Sequence, residues 1–330
     1  MTDVDNIRRR TVLKASAITA GVLAVGTPAS ASEEGNGGGA RSKGRSSDPI
    51  CGDDEAFETH TVTGGGGIDI HVDETGNENG QPILFLHGGF VSRLVWDKQM
   101  RSNLGGPFRL VAPDLRGHGD SDKPPDAYGE SEDWAADIDA VITELELDNP
   151  VLVGWSAGSA WIMDYLAVEG EEDIAGVNMV GAASLIEVED PTTIVDPEAL
   201  GFLFSGVLTD DDAEASIEAI HDWIPFLTNE PVTPTDRAFL AGVMAACPPR
   251  VRAAVLDRLP TFDDLLPELD VPVLVTHGEE DAIVLEAHAE MIADIIPNAE
   301  TSFYPEIGHA PHMENTCRFN RELRKFVVGL

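Results

Sequence analysis

Short, largely apolar runs alternate with helix-like segments along most of the chain. The runs lie at residues 82–86, 109–113, 150–153 and 271–275. Such runs are typical of strands buried on both faces of a parallel sheet. Between the second and third runs, residues 131–147 carry apolar side chains at helical spacing, and Ser131 is expected to cap that helix. The pattern predicts an α/β fold with a mostly parallel central sheet and helices on both faces.

Two segments depart from this alternation. Residues 57–62 and 68–72 alternate apolar and polar positions around four glycines, which predicts a β-hairpin. Residues 185–265 carry large apolar side chains mixed with acidic ones at helix-like spacing. Because this segment lies between two predicted core strands, we expect a helical cap that turns part of its apolar surface toward a pocket. The expected domain therefore spans residues 57–330, with the cap at about 185–265.

The first 31 residues have the order of an export signal. Paired arginines at 8–10 precede the apolar stretch 15–25 and the small residues Ala29-Ser30-Ala31. This order predicts a twin-arginine signal peptide, and therefore a secreted or extracellular protein. The apolar stretch is shorter than the about 20 residues that a membrane-spanning helix needs, so no membrane insertion is expected after cleavage. The alternative is a cytoplasmic protein with a chance arginine run. Residues 32–56, rich in glycine, serine and charge, predict a flexible linker.

The chain is strongly acidic. Its 330 residues include 59 Asp and Glu against 21 Lys and Arg, a formal net charge of −38. Such a surface repels phosphates and anionic membranes, so no nucleic-acid partner is expected. Because the acidic residues are spread along the whole sequence, we interpret them as a halophilic adaptation, in which salt screens the self-repulsion. An ordinary acidic protein is the alternative.

The three cysteines are Cys51, Cys247 and Cys317. One disulfide would fit an exported protein, but the sequence leaves the pairing open. None of the three stands in a C-x-x-C spacing, so no metal site is expected.

A serine stands in a glycine-flanked turn directly after the third apolar run. The segment Gly154-Trp155-Ser156-Ala157-Gly158 is followed by a helix-compatible stretch over residues 157–167. A strand, a sharp turn carrying serine and then a helix form the pattern of a nucleophile elbow. The flanking glycines fit this interpretation, because larger side chains would collide with the neighbouring strand or helix.

An acid and a histidine follow in the order that one fold requires. Asp281 ends the segment His277-Gly278-Glu279-Glu280-Asp281 after the fourth run, and His309 follows a predicted strand at 301–304. Serine, then acid, then histidine is the chain order of α/β hydrolases. Glycine loops at residues 87–90 and 114–121 follow the first two runs. The chain thus resembles the alpha/beta hydrolase family, especially its compact esterase and cofactor-free (non-haem) haloperoxidase group.

The resemblance implies a role for each motif. Ser156 would be the nucleophile, His309 its general base, and Asp281 the acid that orients the imidazole. The spacing Gly278-x-x-Asp281 matches the acid position of the family and favours Asp281 over its neighbours Glu279 and Glu280. The backbone N–H groups of Ala157 and Gly89 would form the oxyanion hole, with Phe90 as the alternative to Gly89.

Other residues near these motifs receive supporting roles. Phe90 and Trp155 are expected to contact substrate, although Trp155 could instead pack beneath the elbow. His87 should brace the glycine loop, and His118 and Asp114 should be structural. His312 is a rival base, but its place after Pro311 at a helix start favours a capping or surface role.

These residues predict a serine hydrolase that cleaves carboxylic esters through an acyl-enzyme, with no metal or organic cofactor. Its substrates would be small medium-chain acyl or aryl esters. Serine at the elbow, where dehalogenases and epoxide hydrolases of the family carry aspartate, indicates acyl transfer. The alternatives are perhydrolase (non-haem haloperoxidase) or lactonase activity on the same triad, and a non-catalytic binding protein of the same fold.

Overall fold

The computed structural model describes residues 57–183, 185–258, 260–297 and 299–330. The predicted signal peptide and the linker lie outside the described residues. Eight strands in the described part of the chain form one sheet. They are β1 (Glu58–Thr63), β2 (Asp69–Gly76), β3 (Gln81–Leu86), β4 (Phe108–Pro113), β5 (Val151–Trp155), β6 (Gly176–Val180), β7 (Val273–Gly278) and β8 (Glu300–Tyr304).

The spatial order of the strands is β1-β2-β4-β3-β5-β6-β7-β8. The pairs β1–β2 and β2–β4 are antiparallel, and the other neighbouring pairs are parallel. The mostly parallel sheet and the hairpin are therefore confirmed. Strand β3 lies between β4 and β5 in the middle of the sheet. The carboxyl ends of the parallel strands β3 and β5 are therefore side by side, and each is followed by a glycine motif.

Helices occupy most of the connections between strands, and two more follow the last strand. They are α1 (Asp97–Met100), α2 (Ser131–Glu144), α3 (Ala157–Glu169), α4 (Pro197–Leu203), α5 (Ala213–Trp223), α6 (Pro234–Ala245), α7 (Pro249–Asp257), α8 (Glu286–Ile295), α9 (Pro311–Glu314) and α10 (Thr316–Gly329). Ser131 is the first residue of α2 rather than its cap, since Glu130 occupies the cap position without a side-chain hydrogen bond. The expectation of a serine cap was wrong.

Side chains alternate between two apolar layers on the sheet. Leu84 and Leu86 of β3 belong to the layer that packs on α2 and α3, whereas Ile83 and Phe85 belong to the layer that packs on α1 and α10. This alternation is the consequence of the two-residue repeat of a strand. Helices thus cover both faces of the sheet, as the sequence predicts.

Helices α4 to α7 lie between β6 and β7, within the segment that we call the cap (residues 185–265). No single described helix is both long and apolar enough to cross a bilayer. Helices α6 and α7, which are bent by 81° relative to each other, reach the required length and composition only when they are taken together.

Candidate active site

Ser156 stands at the turn between β5 and α3, in a backbone conformation that side chains rarely adopt. Its φ is 55° and its ψ is −119°. The turn is held because the Ser156 N–H donates a hydrogen bond to the carbonyl of Val180 on β6, at 2.8 Å. Strained backbone of this kind concentrates at functional sites, and here it directs the serine away from the strand end.

The two glycines of the motif are required by close backbone contacts. A Cβ atom on Gly154 would lie 2.6 Å from the carbonyl carbon and oxygen of Gly158. A Cβ atom on Gly158 would lie 2.5 Å from the carbonyl oxygen of Leu86, at the end of β3. The elbow therefore packs backbone against backbone, and a methyl group at either position would force the turn apart.

Asp281 and His309 form a buried pair beside this turn. Asp281 follows β7 and His309 follows β8, and Nδ1 of His309 lies 2.7 Å from Oδ2 of Asp281. The other carboxylate oxygen, Oδ1, accepts the backbone N–H groups of Ile283 and Val284 at 2.8 and 3.0 Å. Both oxygens of Asp281 are thus engaged, which fixes the carboxylate and holds the imidazole with its Nδ1 toward the acid.

Other acidic residues of this part of the chain are exposed to solvent. Glu279, Glu280, Asp263 and Asp264 are all exposed, whereas Asp281 is buried. Asp281 differs from these acidic residues because its carboxylate is buried against His309. Spacing in the sequence does not show this difference.

A second histidine, His277, lies behind the acid. Its Nε2 is 3.7 Å from Oδ2 of Asp281 and 3.0 Å from the carbonyl oxygen of Val284. Burial lowers the pKa of His277, so the ring is neutral and donates to that carbonyl. His277 therefore supports the short loop that carries Asp281. His277 starts the same motif as Asp281, but its position in the sequence does not indicate this role.

The glycine loop after β3 faces the start of α3. A Cβ atom built on Gly89 would lie 3.6 Å from the Cβ of Ala157, so the two backbones are close. The N–H of Ala157 is the first of its helix and has no acceptor within that helix. The N–H of Phe90 instead donates to Nε2 of His118 at 3.3 Å. That bond favours Gly89 over Phe90 as the second oxyanion donor.

Two buried histidines brace this loop. Nδ1 of His87 contacts the Gly88 carbonyl at 2.8 Å, and Nε2 of His87 accepts the N–H of Leu115 at 3.1 Å. In His118 the Nδ1 contacts the Arg116 carbonyl at 2.9 Å, which leaves Nε2 as the acceptor for Phe90. Burial lowers the pKa of His87 to about 4 and that of His118 to about 3. Both rings are neutral near pH 7, as their acceptor roles require.

Ser156 and His309 line one cavity, together with Gly89 and Ala157. The cavity encloses about 820 Å³, part of it open to solvent. Its walls are predominantly apolar. The cap contributes Leu203, Trp223, Leu227, Val255 and Leu256, and the rest of the domain contributes Phe90, Trp134, Trp155, Trp161 and Ile283.

Sequence reasoning did not place Trp134, Trp161 or Arg258 at the cavity. Trp134 and Trp161 stack with ring centroids 4.7 Å apart and planes 6° apart, and both border the cavity. Arg258 also borders it, but its guanidinium is bound by Asp164, with Nη1 2.7 Å from Oδ2 and Nη2 2.5 Å from Oδ1. The helical spacing of Trp134 indicates burial, without saying whether the buried face meets a cavity.

Trp155 combines the two roles considered for it. It is buried beside the elbow, borders the cavity, and donates its indole N–H to the carbonyl oxygen of His309 at 2.8 Å.

The expectation that His312 has a capping or surface role was wrong. Its ring is fully buried, 4.3 Å from the Trp96 ring and 4.8 Å from the Trp155 ring, and it caps no helix. Apolar packing under the elbow thus outweighs the local signal of Pro311.

Metal ligation is not offered by the described residues, which contain no group of three or more His, Cys, Asp or Glu side chains arranged to hold an ion. Cys247 is a free, buried thiol, whereas Cys317 is disulfide-bonded.

The sheet, the strained serine turn and the acid–histidine pair at the strand ends define an α/β hydrolase. The chain belongs to the alpha/beta hydrolase family, whose model matches residues 83–322.

Among similar proteins is a non-heme chloroperoxidase of Streptomyces lividans, 29% identical over 276 residues, 81% of this chain and 99% of the relative. A bifunctional esterase/perhydrolase of Acinetobacter calcoaceticus is 27% identical, over 81% of this chain and 98% of the relative. The solved structure of an esterase from a Rhodococcus species is 34% identical with a TM-score of 0.77, covering 82% of this chain and 99% of that one.

Proposed function

We propose that this hydrolase cleaves small carboxylic esters through an acyl-enzyme formed on Ser156. The observation that carries the proposal is the buried Asp281–His309 pair, 2.7 Å apart, whose histidine borders the same cavity as the strained Ser156. A free serine hydroxyl is a poor nucleophile and needs a base within reach. Since Nδ1 of His309 is bound to the acid, Nε2 is the nitrogen that takes the serine proton.

The reaction proceeds in two halves. Oγ of Ser156 attacks the ester carbonyl while its proton moves to His309, and the backbone N–H groups of Gly89 and Ala157 stabilise the oxyanion. His309 then returns the proton to the departing alkoxide, which leaves as an alcohol. A water molecule, deprotonated by the same imidazole, attacks the acyl-enzyme and releases the carboxylic acid. Asp281 keeps the imidazole in the required tautomer throughout.

The walls of the cavity set the substrate class. Stacked Trp134 and Trp161 and the apolar cap side chains favour a medium-length acyl chain or an aromatic ring over a charged group. The one guanidinium in the wall, that of Arg258, is already bound by Asp164. The Rhodococcus structure is titled an esterase, and a 31% identical structure from Burkholderia cenocepacia, with a TM-score of 0.75, is titled a putative aryl esterase.

The direct test replaces the nucleophile. Ser156→Ala should remove hydrolysis of p-nitrophenyl esters and labelling by a fluorophosphonate probe, while the circular dichroism spectrum stays that of the folded protein. Ser205→Ala, on an exposed cap serine, is the matched control and should retain both. Unchanged ester hydrolysis by the Ser156→Ala protein would overturn the proposal. A wild-type protein that the probe does not label would indicate the non-catalytic alternative.

Perhydrolysis is the second candidate, and the names of the relatives favour it. Hydrogen peroxide would replace water as the acceptor of the acyl group, so that a peracid leaves and oxidises halide in solution. Several relatives are named non-heme chloroperoxidase, and one is named esterase/perhydrolase. Monochlorodimedone halogenation with acetate and peroxide, compared with ester hydrolysis on the same preparation, separates the two activities. A lactone substrate in the same screen tests the lactonase alternative.

We also propose that the chain is exported by the twin-arginine route into a saline environment. The support is the order of residues 1–31 and the net charge of −38. Replacing Arg9 and Arg10 by lysine should retain the protein inside the cell. Export of the lysine variant at the wild-type level would contradict the proposal. The salt hypothesis predicts higher thermal stability in molar salt than in dilute buffer.

A further inference from the structure

Of the arginines that are buried in the described part of the chain, Arg93 and Arg116 are paired with carboxylates, as is the half-buried Arg258, and Arg252 is the exception. Arg93 binds Asp73 and Asp114, Arg116 binds Asp137, and Arg258 binds Asp164. Arg252, on α7 of the cap, is 1% exposed, and none of the described carboxylates forms an ion pair with it. In a chain with 59 acidic residues, this buried guanidinium stands apart from them.

The groups around Arg252 are neutral and can donate hydrogen bonds. Its Nη2 donates to Oγ of Ser216 on α5, at 2.5 Å, while Nε and Nη1 have no hydrogen-bond partner. Because Ser216 accepts that bond, its own hydroxyl proton can be donated to a further group. A second group that acts on the guanidinium is the buried thiol of Cys247, and burial raises the pKa of that thiol to about 12. Cys247 is therefore neutral at working pH and supplies no counter-charge.

An isolated buried charge is costly. Removing one partner of a buried ion pair strongly destabilises a protein, because the remaining charge is uncompensated. Burial lowers the pKa of Arg252, whereas the carboxylates around Arg93 and Arg116 raise the pKa of those two guanidiniums. Arginine nevertheless stays protonated in proteins, so the charge has to be balanced rather than removed.

We propose that Arg252 is the centre of an anion-binding site within the cap, occupied by a small monovalent anion, a halide or a short carboxylate. The unpartnered Nε and Nη1 atoms are the donors, and the Ser216 hydroxyl is a further one. The anion supplies the counter-charge that the chain itself does not. No residue touching the catalytic serine takes part in this site.

The site is connected to the substrate cavity through α7. Val255 and Leu256, one turn beyond Arg252, line the cavity, and the same helix packs against the turn at Val207–Thr209. An occupied anion site would therefore hold α7 against α5 and fix part of the cavity wall. Anion binding should stabilise the cap whether or not the enzyme acts on esters.

The first experiment is crystallographic. Crystals of the wild-type protein are soaked in sodium bromide, and in a separate arm in sodium formate. An anomalous bromide peak in contact with the Arg252 guanidinium assigns the site to halides. Planar density in the formate arm alone assigns it to carboxylates. Absence of both would overturn the proposal.

The second experiment measures thermal unfolding in potassium chloride and in potassium methanesulfonate at equal ionic strength. Ligand-linked stabilisation should raise the wild-type midpoint in chloride by about 2–4 °C. Arg252→Met should abolish that difference, since a buried ion can be replaced by an apolar side chain without unfolding the protein. Arg250→Met removes the same charge from an exposed position on α7 and should keep the difference. The same measurement in potassium formate covers a carboxylate occupant. Equal effects in all three proteins, for chloride and for formate alike, would contradict the proposal, and the soaks remain decisive if Arg252→Met fails to fold.

Discussion

The imidazole of His309 and the carboxylate of Asp281 meet at 2.7 Å, while the opposite oxygen of Asp281 is held by two backbone N–H groups of its own loop. The acid is therefore fixed before any substrate arrives. In the proposed mechanism, its contribution is orientation of the imidazole and stabilisation of the imidazolium that would form during proton transfer.

Replacing this acid tests its assignment. Asp281→Asn keeps an acceptor oxygen for the loop but presents an amide to Nδ1 of His309, which favours the wrong tautomer. We expect kcat on p-nitrophenyl esters to fall by about 10⁴-fold, with little change in fold. Glu280→Gln is the control, because Glu280 is exposed one residue earlier, and it should leave kcat unchanged. A larger fall in kcat for Glu280→Gln than for Asp281→Asn would assign the role of the acid to Glu280.

The glycines of the elbow give a prediction about stability. Gly158→Ala places a methyl group where the Leu86 carbonyl oxygen lies 2.5 Å away, so the strand end or the helix must shift. The variant should lose about 1–3 kcal/mol of unfolding free energy and most of its esterase activity. Gly242→Ala, in cap helix α6, has no atom within 4 Å of the new methyl group. It should be neutral or stabilise by up to about 1 kcal/mol. Urea denaturation measures the unfolding free energy of both variants. A loss in Gly158→Ala alone would show overpacking, whereas an equal loss in both would show an effect of any glycine-to-alanine replacement.

The ion pair between Arg258 and Asp164 joins the cap to α3. Burial raises the pKa of Asp164 even with the guanidinium beside it, so an unpaired carboxylate at this position would be costly. Arg258→Met alone should destabilise by about 3–5 kcal/mol, and the double variant with Asp164→Leu should recover most of that loss. A double-mutant cycle of urea midpoints measures the coupling. Additive effects of the two substitutions would show that the pair is not coupled.

The buried histidines make stability depend on pH. Burial lowers the pKa of His288 to about 4, against 6.5 for the unfolded chain. Its contribution is therefore complete above pH 6.5 and is lost as the pH falls toward 4, because the unfolded state then binds the extra proton. His288→Gln should reduce the pH slope of the unfolding free energy between pH 6 and 5 by nearly one proton, or about 1.4 kcal/mol per pH unit. His221→Gln, on an exposed histidine, should leave the slope unchanged.

The elbow and the sheet were readable in the sequence because their signals are local. The glycines at 154 and 158 indicate a close contact between backbones. The continuous apolar runs indicate buried strands of a parallel sheet. The choice of Asp281 as the acid rested instead on the resemblance, since the spacing Gly278-x-x-Asp281 matches the acid position of the family. These patterns record steric requirements that few other residues satisfy.

The cavity wall was less predictable because it forms between segments distant in the chain. Helical spacing placed Trp134 in the interior without showing that its ring meets Trp161 at the edge of a cavity. His312 followed a helix-start pattern, yet contacts with Trp96 and Trp155 bury it. The pairing of Arg258 with Asp164 joins residues 94 positions apart, a relationship that no local pattern carries.

Glu314 has a consequence for attempts to re-engineer the enzyme. One of its carboxylate oxygens accepts the N–H of Gly308, next to His309, and the other accepts the N–H of Asn229 in the cap, at 2.9 and 2.8 Å. A single side chain therefore couples the cap to the loop that bears His309. Directed-evolution libraries that diversify the cap should keep the Thr228–Asn229 backbone intact. A shift of that backbone would displace the loop of His309 instead of changing substrate selectivity.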